Sequence, residues 1–287
     1  MNRNISKLIV FILLSFLPVA GIGIYFHLAD TPVVPDTNDP SAFLVRVALS
    51  SLAMIMPMLA VIFTQLIFKE PVFKDMGISF RFNRWWVIGW LLMPVIALAV
   101  LGVSLLMPGA EWNPAILNQI PEGLGAGGIL AISLISGMMA GATLNAVFAF
   151  GEEIAWRGYL LKIFNGKSFL EATLWIGIIW GLWHAPIILT GHNFPQHPIA
   201  GVFMMVAACL LLTPMLMYFR QKSGSVLVPA IMHGTFNGVA NISQIFVTPA
   251  NDLLYGSVAL SGLIVLLIID IVIFCIMKKD GSLTAEI

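Results

Sequence analysis

The stretch "ILAISLISGMMAGATLNAVFAFGEEIAWRGYLL", residues 129–161, is apolar for most of its length and then sets Glu152, Glu153 and Arg157 near its end. A run this long and apolar exceeds the roughly 20 residues that a helix needs to cross a bilayer. Its reading as a membrane span decides the fold, because the rest of the chain repeats the pattern. Apolar segments recur at about 8–27, 43–68, 85–107, 170–190, 199–219, 226–247 and 255–277. The chain is 59% hydrophobic and 10% charged, whereas a soluble domain carries about 25% charged residues. We expect an all-α polytopic membrane helix bundle of about eight transmembrane helices, a single integral membrane domain over residues 1–287. Arg3 and Lys7 precede the first apolar run, which is long enough to be a retained span and not a signal peptide.

Lysine and arginine set the direction of threading, since cytoplasmic loops retain positive charge. Arg3 and Lys7 precede span one; Lys69, Lys74, Arg81 and Arg84 lie between spans two and three; Lys162 and Lys167 follow span four. Arg220 and Lys222 follow span six, and Lys278 and Lys279 follow span eight. The alternate connectors, near 28–42, 108–128, 191–198 and 248–254, contain none. Both termini are therefore expected in the cytoplasm. Arg46 lies near the outer end of span two, where snorkelling to the interface is expected. The formal net charge is +0 and no basic patch is present, so we expect no nucleic-acid partner. Cys209 and Cys275 both fall in apolar spans, without the spacing of a disulfide framework or a cysteine metal site.

Each ionised group near the middle of a span costs roughly 2.5–3.5 kcal/mol. Glu153 and Arg157 are four residues apart, so on a helix they share a face and neutralise each other. Glu152 points about 100° away and has no obvious local partner. Two further spans hold polar groups: "WGLWHAPIIL", with Trp180 four residues before His184, and "MHGTFNGVAN", with His233 four residues before Asn237. Counting about 1.5 Å per residue from the nearest cytoplasmic charge brings Glu152, His184, His233 and Asn237 to a similar depth. This requires span four to continue as helix past Gly151.

A carboxylate in a dry site can act as a general base toward water, and a histidine beside it can share the proton or pass it to a leaving amine. A second histidine and an amide can donate to the oxyanion of a tetrahedral intermediate. Peptide-bond hydrolysis calls for these roles.

Taken together and in this order, the motifs resemble the CPBP intramembrane proteases, the CAAX protease and bacteriocin-processing (ABI) family, which includes the type II CAAX prenyl endopeptidases. The family pattern is E-E-x-x-x-R, then F-x-x-x-H, then H-x-x-x-N or H-x-x-x-B. It is met here by Glu152-Glu153-Ile-Ala-Trp-Arg157, Trp180-Gly-Leu-Trp-His184 and His233-Gly-Thr-Phe-Asn237. Trp180 departs from the usual Phe. The resemblance covers about residues 128–250, the expected protease core. It implies Glu152 as the water-activating carboxylate with His184 assisting, His233 and Asn237 as the oxyanion site, and Glu153 with Arg157 as an ordering ion pair. It also implies a membrane-associated peptide substrate, possibly prenylated. A metal-free mechanism is favoured; the metalloprotease alternative is zinc on Glu152, His184 and His233. A multi-pass protein in the lipid bilayer, in the cell membrane of a bacterium, is expected.

Other readings compete. A proton-coupled transporter would use Glu152 and the histidines as a relay, although no pair of broken spans marks inverted repeats. A non-catalytic bacteriocin-immunity or adaptor protein would need no unpaired carboxylate at mid-depth. His192 and His197 read as ordinary loop histidines, Pro186 as a kink beside His184, and Asp270 in the last span has no assigned role.

Overall fold

A computed structural model of the chain describes residues 3–32, 40–119 and 125–283. Parts of two expected connectors, 33–39 and 120–124, lie outside the described residues. Among the described residues, six helices are long and apolar enough to cross a membrane: α1 (Arg3–Leu28), α2 (Ser41–Ile67), α3 (Arg84–Leu106), α4 (Ala126–Ile163), α7 (Pro198–Ser223) and α10 (Leu260–Lys279). Their sequence and length make this a multi-pass integral membrane protein.

The segments at 170–190 and 226–247 are helical but interrupted. The first divides into α5 (Phe169–Trp183) and α6 (Ala185–Ile188). Pro186 has no N–H to continue the ladder, and the His184 N–H reaches back to the Gly181 carbonyl at 3.2 Å. The second divides into α8 (Leu227–Val239) and α9 (Ile242–Phe246). The all-helical expectation also misses a small feature. Two-residue strands β1 (Glu111–Trp112) and β2 (Val247–Thr248) pair antiparallel, with Trp112 opposite Val247. The final helix begins at Leu260, after turns that occupy the start of the expected span.

Helix α4 runs unbroken through Gly151, with two widened π-helical stretches at Gly141–Asn145 and Ile154–Leu160. Its 38 residues amount to about 57 Å of helix, well beyond a hydrocarbon core of about 30 Å. The second π stretch holds Trp156 and Arg157, in keeping with the tendency of such bulges to occur where side chains must be re-aimed.

With lipid on the outside, helices gain by close packing at small residues. Gly137 and Gly141 of α4 meet Gly234 and Gly238 of α8. A Cβ on Gly137 would lie 2.4 Å from the Gly238 carbonyl oxygen, and one on Gly141 would lie 2.3 Å from the Thr235 Cα. Gly181 of α5 faces the Val206 backbone of α7, where a Cβ would meet its Cα at 2.6 Å. These contacts press the three helices that carry the polar residues against their neighbours.

The two ends of the bundle are fastened differently. At the end bearing most of the lysines and arginines, Lys7 and Arg3 pair with Glu70, Lys222 pairs with Asp280 at 3.2 Å, and Lys162 donates to the Lys74 carbonyl. At the other end Arg46 does not snorkel. It is 4% exposed and donates to the carbonyl and hydroxyl oxygens of both Thr31 and Thr190 at 2.8–3.3 Å. Thr190 is 144 residues away in sequence, so this tether was invisible to a reading of span two alone.

Candidate active site

Glu152 and Glu153 sit side by side on α4 and enter different environments. Glu153 is fully buried and its Oε1 accepts from Arg157 Nη1 at 2.8 Å, the pair expected from their spacing. The same oxygen meets His233 Nδ1 at 2.9 Å. Arg157 also donates to the Thr213 hydroxyl at 3.1 Å, and its guanidinium carbon lies 4.2 Å from the centre of the Trp180 ring. Charge, hydrogen bonds and a cation–π contact thus compensate the burial of Arg157.

Glu152 is not without partners, contrary to the sequence-based expectation. Its Oε2 accepts from Trp180 Nε1 at 2.7 Å and from Trp156 Nε1, one turn along α4, at 3.3 Å. Indole nitrogen is donor-only, so both rings orient the carboxylate without competing for a proton. The departure from the family pattern at Trp180 therefore supplies a hydrogen bond that a phenylalanine has no atom to make.

His184 lies at the break between α5 and α6. Its Nδ1 is 2.9 Å from the Trp180 carbonyl. A carbonyl only accepts, so Nδ1 carries the hydrogen and Nε2 keeps a lone pair. For His233, the ionised Glu153 beside Arg157 is an acceptor, so Nδ1 again carries the hydrogen. Its Nε2 becomes a donor only when the ring holds a second proton.

One cavity of about 900 Å³ is lined by Glu152, Trp180, His184, His233 and Asn237 among others. Glu153 and Arg157 do not line it and stand behind Glu152 and His233. The six residues singled out by sequence thus divide into four on the cavity wall and two in a buried layer. Sequence reasoning missed Trp156 and Thr213, whose roles depend on contacts and leave no spacing signal of their own. Among the described residues no group of three His, Cys, Asp or Glu side chains could hold a metal ion.

The loop histidines are more involved than expected. His197 Nδ1 pairs with Asp252 Oδ1 at 2.7 Å, while Asp252 Oδ2 accepts from the Gln196 and His197 backbone N–H groups. His192 lines the cavity, and burial with Arg46 nearby pushes its imidazole down to about 4. Asp270 is buried, and its Oδ1 has no partner among the described residues; nothing in the structure explains it.

An apolar bundle with clustered carboxylate, imidazole and amide groups around a cavity defines a membrane protein with a built polar site. Residues 134–239, which hold all six of those residues, match the family described as Rce1-like, type II CAAX prenyl endopeptidase Rce1-like. The match supports assigning the chain to the CAAX protease family. No curated protein matches it.

Proposed function

We propose that the chain is an intramembrane endopeptidase that hydrolyses a peptide bond of a membrane-associated substrate with water activated by Glu152. The observation that carries this reading is the division of labour around the cavity. Glu152, His184, His233 and Asn237 face one space, and Glu153 with Arg157 braces them from behind. In this reading eight segments cross the cell membrane of a bacterium, α5 with α6 and α8 with α9 making the two interrupted crossings, and both termini lie on the cytoplasmic side.

The steps follow from the free lone pairs. Glu152 Oε2 is held by two indoles, which leaves Oε1 to take a proton from water as its oxygen attacks the scissile carbonyl. His184 Nε2 accepts a hydrogen bond from the same water. The tetrahedral oxyanion is met by the Asn237 amide and by His233 when its Nε2 is protonated. Collapse breaks the C–N bond, and the proton taken by Glu152 goes to the leaving amine, so the carboxylate is regenerated. Every step uses side chains of this chain.

The test is cleavage of a panel of fluorogenic membrane peptides, prenylated and not, by purified protein in liposomes. Turnover that vanishes in Glu152→Gln and survives a strong chelator is expected. Turnover lost to the chelator and restored by zinc would overturn the mechanism. No cleavage by wild type, with proton flux that depends on Glu152, would turn the reading to transport.

A further inference from the structure

The connector between α2 and α3 ends in "SFRFNRWW", residues 79–86, where aromatic and cationic side chains interleave. Phe80 and Phe82 are 81% and 73% exposed, and Arg81 and Arg84 are exposed beside them. The segment is nevertheless fixed in place. Asn83 donates to the Ser223 carbonyl at 2.9 Å, the Ser225 hydroxyl donates to the Ser79 carbonyl, and the Val226 N–H reaches the Gly77 carbonyl at 2.8 Å. These bonds hold it against the turn between α7 and α8.

A groove of about 340 Å³ lies beside this segment, walled by its Phe80 and Trp86, by Val147 and Phe150 of α4 and by Leu227 and Ile231 of α8. Among the described lining residues only Thr143 and Trp86 carry polar side-chain atoms, and both are spent on backbone carbonyls. The Thr143 hydroxyl donates to Met139 at 2.7 Å and Trp86 Nε1 to Arg81 at 3.2 Å. The recess has nothing to offer a polar ligand, whereas a hydrocarbon chain lying in it would be touched on several sides. In lipid that gain in contact is what favours one position over another. The groove shares no lining residue with the central cavity: Asn145, Phe148 and Glu152 of α4 face the cavity, while Val147 and Phe150 face the groove.

Charge decides which lipid fits. Of the cations on the lysine-bearing face, Arg3 and Lys7 pair with Glu70, Lys167 with Glu171 and Lys222 with Asp280. Arg81 and Arg84 form no ion pair among the described residues, and the Arg84 guanidinium only lies over the Trp85 ring, 5.2 Å from its centre. Two uncompensated guanidinium groups flanking Phe80 and Trp86, at the edge of an apolar recess, complement a phosphodiester with an acyl chain attached. A zwitterionic headgroup brings its own ammonium and gains less.

We propose that the groove between α4 and α8 is a binding site for one anionic glycerophospholipid, with an acyl chain in the recess and the phosphate on Arg81 and Arg84. The site is independent of the endopeptidase reading.

The experiment uses full-length protein in phosphatidylcholine liposomes doped with a phospholipid that carries a photoreactive diazirine on one acyl chain and either a phosphatidylglycerol or a phosphatidylcholine headgroup. Crosslinked peptides are located by mass spectrometry after irradiation. Each cation near a membrane surface is worth about a fivefold preference for an anionic lipid. Crosslinks within 80–86, 142–150 and 227–231 are therefore expected to favour the phosphatidylglycerol form by about fivefold or more. The exposed face of α10 that carries Ile264, Ile268 and Ile271 is the control and is expected to show no preference. Equal crosslinking of the two forms at the groove would overturn the proposal and make the occupant ordinary bilayer lipid.

Two variants separate headgroup from chain, each checked for folding by its unfolding temperature in phosphatidylcholine. Arg81→Gln/Arg84→Gln, at exposed positions, is expected to bring the two forms to parity at the groove. Val147→Trp, which fills the recess from an exposed position, is expected to lower crosslinking of the phosphatidylglycerol form severalfold with both arginines present. A preference that survives the loss of both arginines, or a filled groove that still crosslinks as well as wild type, would count against the site as decisively as parity in the wild-type protein.

Discussion

The indole N–H of Trp180 donates to Glu152 Oε2 at 2.7 Å while the face of the same ring lies against the Arg157 guanidinium. One side chain therefore touches both the cavity-lining carboxylate and the ion pair behind it. Trp180→Phe keeps the face and removes the donor. A hydrogen bond to a charged group contributes about 1.5–3 kcal/mol, so turnover should fall about 10- to 100-fold while the protein stays folded. The check is kcat and KM measured separately, with thermal unfolding of each variant in detergent. Unchanged kcat would remove Trp180 from the positioning of Glu152.

Arg157→Met should be more damaging to stability than the double variant Glu153→Gln/Arg157→Met. Removing one partner leaves a buried charge uncompensated, at a cost of about 3–5 kcal/mol, whereas the double variant removes both. Unfolding midpoints in detergent give the comparison. Equal midpoints would mean that the pair is not electrostatically isolated.

Gly141→Ala should lower both unfolding temperature and activity, since its Cβ would lie 2.3 Å from the Thr235 Cα of α8. Gly102→Ala is the contrast, because nothing lies within 4 Å of its Cβ. There the gain in helix propensity is about 0.5–1 kcal/mol. A Gly141→Ala protein as stable and active as wild type would show that α4 and α8 can separate without penalty.

The His192 imidazole is held down to about 4 in the folded protein, against about 6.5 when unfolded. The unfolded state therefore binds more protons between these values, and stability falls as pH drops from about 6.5 toward 4. His192→Gln should flatten this part of the stability curve. Superimposable curves for wild type and variant, from unfolding at stepped pH, would rule this out.

What was legible in sequence and what was not follows from the range of each interaction. Hydropathy located the apolar segments, and the four-residue spacing of Glu153 and Arg157 gave their ion pair because both contacts are local. The separation of 80 residues between His233 and Glu153 and of 28 between Trp180 and Glu152 left those bonds to tertiary packing. Trp156 shows a different limit. It lies four residues from Glu152, yet it reads as one more apolar residue of a span until its N–H is seen to face a carboxylate. Arg46 failed for the reason that its threonine partners come from other segments, which made interfacial exposure the default expectation.

The facing glycines of α4 and α8 also act as a keyway. The carbonyls of Gly137, Gly141 and Gly238 sit in the notches left by the missing side chains of Gly238, Gly234 and Gly137, and Thr235 fills the notch at Gly141, so α8 has no continuous path along which to slide. Small displacements are blocked by backbone, and the next fit is a full helical turn away. His233 is therefore indexed to Glu153, either in mesh or out by about 5.4 Å, and there is no gradual detuning between the two.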